Sequence, residues 1–114
     1  MEEIKQEKVL DFSDITSNEK ALQLVKEGRL YLLYLMPLRF NGEELEHNRI
    51  FVPQIVTELK DRYDDIVENL LKEGKINSYA CTPEYKGNSF VPSKLTIEAK
   101  KDGQPVFTET INIW

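Results

Sequence analysis

A chain of 114 residues, 40% hydrophobic and 31% charged, has the composition of an ordinary globular protein with room for one core. Its formal net charge of −5, with Lys100 and Lys101 the one adjacent pair of cations, disfavours a nucleic-acid backbone as partner. Cys81, the single cysteine, excludes an intramolecular disulfide.

The first eight residues are polar and acidic and lack the apolar run of a signal peptide, so they are expected to fray at the edge of a single domain, 1–114. Leu30 to Leu38, the longest apolar run, is about half the length of a membrane span. A cytoplasmic protein with no membrane contact is expected. Val9-Leu10-Asp11-Phe12 reads either as an edge strand or as a docked arm.

Thr16 and Glu19 stand three apart, as in a capping box, which predicts a helix with Ala21, Leu22, Leu24 and Val25 inward and Gly28 at its end. From Leu30 to Met36 both faces of a strand are apolar, and Pro37 weakens its far end. Asn41-Gly42 is a hairpin signal, with Glu46 to Val52 returning as the second strand.

Pro53 to Gly74 carries the most complete helix signals of the chain. Proline in the first turn loses no hydrogen bond, and glycine can take the left-handed conformation that stops a helix. Ile55, Val56, Leu59, Tyr63, Ile66, Val67, Leu70 and Leu71 fall on one arc at the spacing of a core-facing helix. Glu58, Asp61, Asp64, Asp65 and Glu68 fall on the opposite arc, with Lys60 and Arg62 on its flanks, and are expected in solvent.

Ile76 to Thr82 predicts a third strand and Pro83 to Pro92 a long loop pinned by Phe90 and Val91. A three-residue turn at Lys101-Asp102-Gly103 pairs Ile97 with Phe107. That register puts Leu95, Ile97, Ala99, Phe107, Ile111 and Ile113 on one face, and Thr96, Glu98, Lys100, Thr108, Thr110 and Asn112 on the other. The fold class expected is α+β: a two-layer sandwich whose mostly antiparallel sheet of about 4–5 strands carries two helices on one face. The alternative is a ferredoxin-like βαββαβ order plus a C-terminal hairpin.

No catalytic pattern stands out. A thiol nucleophile would pair Cys81 with His47, the one histidine, and these lie on different predicted strands. Glu43, Glu44, Glu46 and His47 offer metal-ligand types without a recognised spacing, so neither metal nor cofactor is expected. Gly-rich phosphate loops and nucleophile elbows are missing.

A non-catalytic interaction protein is the resulting expectation, binding a partner or itself through Tyr31, Tyr34 and Met36 on the apolar strand or through Glu58, Asp61, Asp65 and Glu68 on the long helix. Self-association would pass through the Leu30–Met36 strand. The alternative is a small enzyme or ligand-binding domain, with a pocket between the sheet and the 83–92 loop using Tyr85, Cys81 and His47. A weaker alternative is an acidic stripe that imitates nucleic-acid phosphates and blocks a basic protein.

Overall fold

A computed structural model describes residues 10–114. The expected fraying of residues 1–8, and Val9 of the proposed arm, lie outside them. Within that arm Asp11 and Phe12 form no strand, and the Phe12 ring meets that of Trp114 edge-on at 5.8 Å.

Helix α1 spans Asn18–Lys26 and starts one residue later than the capping box implied. Ser17 is the cap: its hydroxyl accepts from the Lys20 backbone N–H, and Ala21 and Leu24 turn inward as expected. Strand β1, Tyr31–Tyr34, pairs antiparallel with β2, Arg49–Val52, Tyr31 lying opposite Val52. Between them runs a long connection rather than a tight hairpin. Two 3-10 turns, Leu38–Phe40 and Glu46–Asn48, shape it. The buried Asn48 amide holds it together, accepting from Met36 N–H at 2.8 Å and donating to the carbonyls of Met36 and Glu43. Gly42 has no tolerated alternative, because a Cβ there would collide with the Met36 carbonyl.

Helix α2 spans Gln54–Lys72, capped by Pro53, with Gly74 in the left-handed region at φ 72. Its ends are those the sequence predicts, but its inward arc is rotated toward Lys60 and Asp64. Both are buried along with Val56 and Val67, whereas Ile55, Ile66 and Leu71 are exposed. The expectation that Asp64 faces solvent with the other acids is therefore overturned. Strand β3 supplies the reason, as described below.

The remaining strands are β3 at Ser78–Tyr85, β4 at Pro92–Lys101 and β5 at Gln104–Asn112. They form a three-stranded antiparallel sheet of order β3-β4-β5, separate from the two-stranded β1-β2 sheet. The fold is thus mixed α+β, but among the described residues the strands divide into two sheets instead of one, and every pair is antiparallel and consecutive in the chain, unlike the ferredoxin-like order. Helix α2 packs against both β1 and β5.

Strand β3 continues through Pro83, which lies opposite Leu95. Proline is tolerated because β3 is an edge strand and needs no ladder N–H on its outer side. The expected 83–92 loop shrinks to 86–91 as a result.

The β4–β5 turn is tighter than expected. Asp102 and Gly103, at φ 49 and 83, form a two-residue turn of type I′, and Asn77 pins it by accepting from Asp102 N–H and donating to the Asp102 carboxylate at 2.8 Å. The tighter turn shifts the register by one residue and a bulge between Ala99 and Lys100 by one more, so Phe107 faces Ala99 rather than Ile97. A shift of two preserves side-chain parity, so the predicted faces stand: Leu95, Ile97, Ala99, Ile111 and Ile113 are buried. They join Leu30, Ile50, Phe51, Val52, Val56 and Val67 in one core that unites the two sheets and α2.

Candidate functional site

The long helix turns a chemically mixed strip toward β1 and the 3-10 turn that follows it, and the space between them is a groove of about 490 Å³. Leu33, Tyr34, Pro37 and Leu38 form its apolar wall, and Glu58 and Asp61 stand on the helix side. Lys60 and Asp64 also line it from positions almost closed to solvent.

These two residues form an ion pair at 2.8 Å, and Tyr79 on β3 completes it: the phenol donates to the second Asp64 oxygen at 2.8 Å and accepts from the Lys60 ammonium at 3.2 Å. Both carboxylate oxygens are thereby satisfied, which is the condition for burying a charge pair without a large penalty. Burial, then the Asp64 charge, raises the Tyr79 hydroxyl well above its ordinary pKa. That keeps it a donor throughout the physiological range.

Cys81 sits two residues along the same strand. Burial pushes its thiol up to about 11, the Lys60 charge opposing only in part. Such a thiol is protonated near neutrality and is a poor nucleophile.

Arg39, on the 3-10 turn, reaches across to α2 and donates to Asp65 at 2.6 Å, Glu68 at 3.0 Å and Asp61 at 3.4 Å. Three of the four acids expected to face a partner are thus gathered by one guanidinium, and Lys72 adds a further contact to Glu68 at 3.5 Å. Glu58 has no ion pair among the described residues.

Of the apolar interaction candidates, Tyr34 lines the groove, Tyr31 is 37% exposed on β1 outside it, and Met36 lines a different cavity of about 340 Å³ together with Phe40 and Tyr79. Leu32, Leu33 and Leu35 are half-buried against the core, so much of the apolar strand is covered by the chain itself.

The pocket residues separate. Tyr85 and His47 line a common cavity of about 390 Å³, bounded by β2 and the 86–91 loop, whereas Cys81 lies apart from it beside Tyr79. Among the described residues no cluster of three or more carboxylate, imidazole or thiol side chains is arranged to hold a metal ion. No helix among them is long and apolar enough to cross a membrane.

Sequence reasoning missed Lys60 and Arg39, and read Tyr79 as a core or sheet-surface residue. The Lys60–Asp64 spacing of one helical turn was a readable signal for the first, since it places opposite charges in contact. Arg39 carried none, because its partners are 22 to 29 residues away. Comparison with protein-family models, with curated proteins and with solved structures finds no match.

Proposed function

We propose that this chain is a non-catalytic protein-interaction module and that its recognition site is the groove between α2 and the β1 segment. One observation carries the reading: an apolar wall ending in Leu38, 45% exposed, shares a groove of about 490 Å³ with the carboxylate of Glu58, which has no ion pair among the described residues. A bulky apolar side chain next to a lysine or arginine is the complement of that surface. The Arg39 clamp supports a preference for this edge over the middle of the helix, because it has already neutralised part of the charge on Asp61, Asp65 and Glu68. The reading includes a two-layer arrangement, with both helices on one side of the sheets.

Selection from a phage-displayed peptide library tests it. Enriched peptides should carry a basic residue beside a large apolar one, and Leu38→Asp and Glu58→Lys should each abolish their binding in folded protein. Failure to enrich any sequence class, or binding indifferent to both substitutions, would refute the groove as a recognition site.

A further inference from the structure

The cavity between β2 and the 86–91 loop has a different character from the groove. Its floor is the Phe51 ring, 5% exposed, and its walls include Tyr85 and Phe90, at 46% and 38% exposure. Two large rings left half-open within one concavity invite collapse onto each other.

The loop prevents this. Ser89, itself buried, donates its hydroxyl to the Phe12 carbonyl at 2.8 Å and accepts from Val91 N–H, while Phe90 N–H donates to the Ile15 carbonyl at 2.7 Å. The backbone behind the Phe90 ring is thus tied to the segment before α1, and that behind Tyr85 is held in β3 opposite Pro92, so the hollow is preformed. Preformed hollows of a few hundred Å³, apolar with a small number of polar groups, are the usual form of a small-molecule site.

Polar groups line the rest of this one: the Asn18 amide, the Glu46 carboxylate, the His47 imidazole and the Arg49 guanidinium, which among the described residues spends one donor, on the Glu44 carbonyl at 3.2 Å. Rings on floor and wall favour a flat aromatic guest, through offset-stacked and edge-on contacts that an aliphatic one does not make. The Asn18 and Arg49 donors favour a guest with acceptor atoms along one edge, and the Glu46 carboxylate favours a donor N–H or O–H beside them.

We propose that this cavity binds a small planar aromatic molecule bearing hydrogen-bond acceptors on one edge. Two chemical sources share that description, a nucleoside and an aromatic carboxylic acid, and they differ in their demand on Arg49.

Amide chemical-shift titration of the folded chain with adenosine, indole-3-acetate and, as a non-aromatic control, cyclohexanol tests the proposal. At least one aromatic probe should give saturable shifts centred on Phe51, Tyr85, Gly87 and Phe90, with none from cyclohexanol. Tyr85→Ala and Phe90→Ala should each weaken the binding, by roughly tenfold for a lost ring contact. Neither needs to unfold the chain, since both rings are substantially exposed and the Phe90 backbone bond does not depend on its ring. Arg49→Ala should weaken an anionic guest more than a neutral one, which tells the two sources apart. The proposal is overturned if both aromatic probes fail to saturate by about 10 mM, a free energy too small for a site, if cyclohexanol shifts the same amides equally, or if the shifts map to the α2 groove instead.

Discussion

Lys60 and Asp64 form an ion pair one helical turn apart, with side chains only 4% and 6% exposed, on a helix whose apolar arc would serve the core without them. The pair persists because Tyr79 reaches from β3 to bond both partners, so α2 and the three-stranded sheet are joined by a closed triangle of hydrogen bonds as well as by apolar contact. Apolar packing tolerates small slips of a helix over a sheet. A triangle of directed bonds fixes one position.

The energetic signature of such a pair is asymmetric. Lys60→Met or Asp64→Leu alone should destabilise the fold by about 3 to 5 kcal/mol, because each leaves an uncompensated buried charge. Tyr79→Phe should cost about 1 to 3 kcal/mol. The triple variant Lys60→Met, Asp64→Leu, Tyr79→Phe removes every polar group of the triangle and should lie within about 2 kcal/mol of the parent, or above it. Urea unfolding of the four proteins decides, and additive losses would show that the triangle is not acting as a unit.

Exposure also discriminates between Leu95 on β4 and Ile66 on α2, both of which the sequence assigns to a buried face. Leu95→Ala, at a site fully closed to solvent, should cost about 2 to 5 kcal/mol. Ile66→Ala should cost less than about 1 kcal/mol although Ile66 belongs to the apolar arc read from the sequence, because 39% of the residue remains in water. Equal losses at the two positions would restore the unrotated arc.

Much of the local chemistry was legible because it depends on residues a few positions apart. Pro53 and Gly74 bounded α2, and alternation in β4 and β5 identified the buried face despite a register two residues away from the one expected. Long-range features were not legible. The long β1–β2 connection is held by the Asn48 side chain, and a single asparagine among polar neighbours announces nothing; the division into two sheets likewise depends on strands far apart in the chain. Of the three residues offered for a pocket, Tyr85 and His47 line one cavity while Cys81 lies apart from it beside Tyr79, a separation set by how distant strands pack.

Arg39 offers a test of surface electrostatics. It relieves the repulsion among Asp61, Asp65 and Glu68, so Arg39→Ala should lower stability by about 1 kcal/mol at low ionic strength. At about 1 M salt, where screening acts over roughly 3 Å, the difference should shrink. Arg39→Lys should recover only part of it, since one ammonium cannot divide its donors among three carboxylates as a guanidinium does. A salt-independent loss would mean that the side chain acts by packing on Phe40, over whose ring its guanidinium carbon lies at 5.7 Å.

Cys81 supplies a prediction whose sign follows from its position. Burial raises the thiol from 9.0 to about 11 in the folded chain. Below pH 9 both folded and unfolded chains hold the proton, and the thiol makes no pH-dependent difference. Between pH 9 and 11 the unfolded chain ionises while the folded chain does not, so stability falls as pH rises, by a total of about 2 to 3 kcal/mol, and levels off above 11. The Tyr79 hydroxyl, raised by burial and by Asp64, pushes in the same direction. Its effect must be separated by difference. Cys81→Ala keeps the tyrosine and loses the thiol, so the gap between its stability and that of the parent should move in its favour from pH 8 to 11 by the thiol's share alone. Alkylation of the folded parent should be slow at pH 8 and rise about tenfold per pH unit toward 11. Parallel stability curves with rapid alkylation at pH 8 would place the thiol in water and remove it from the buried side of β3.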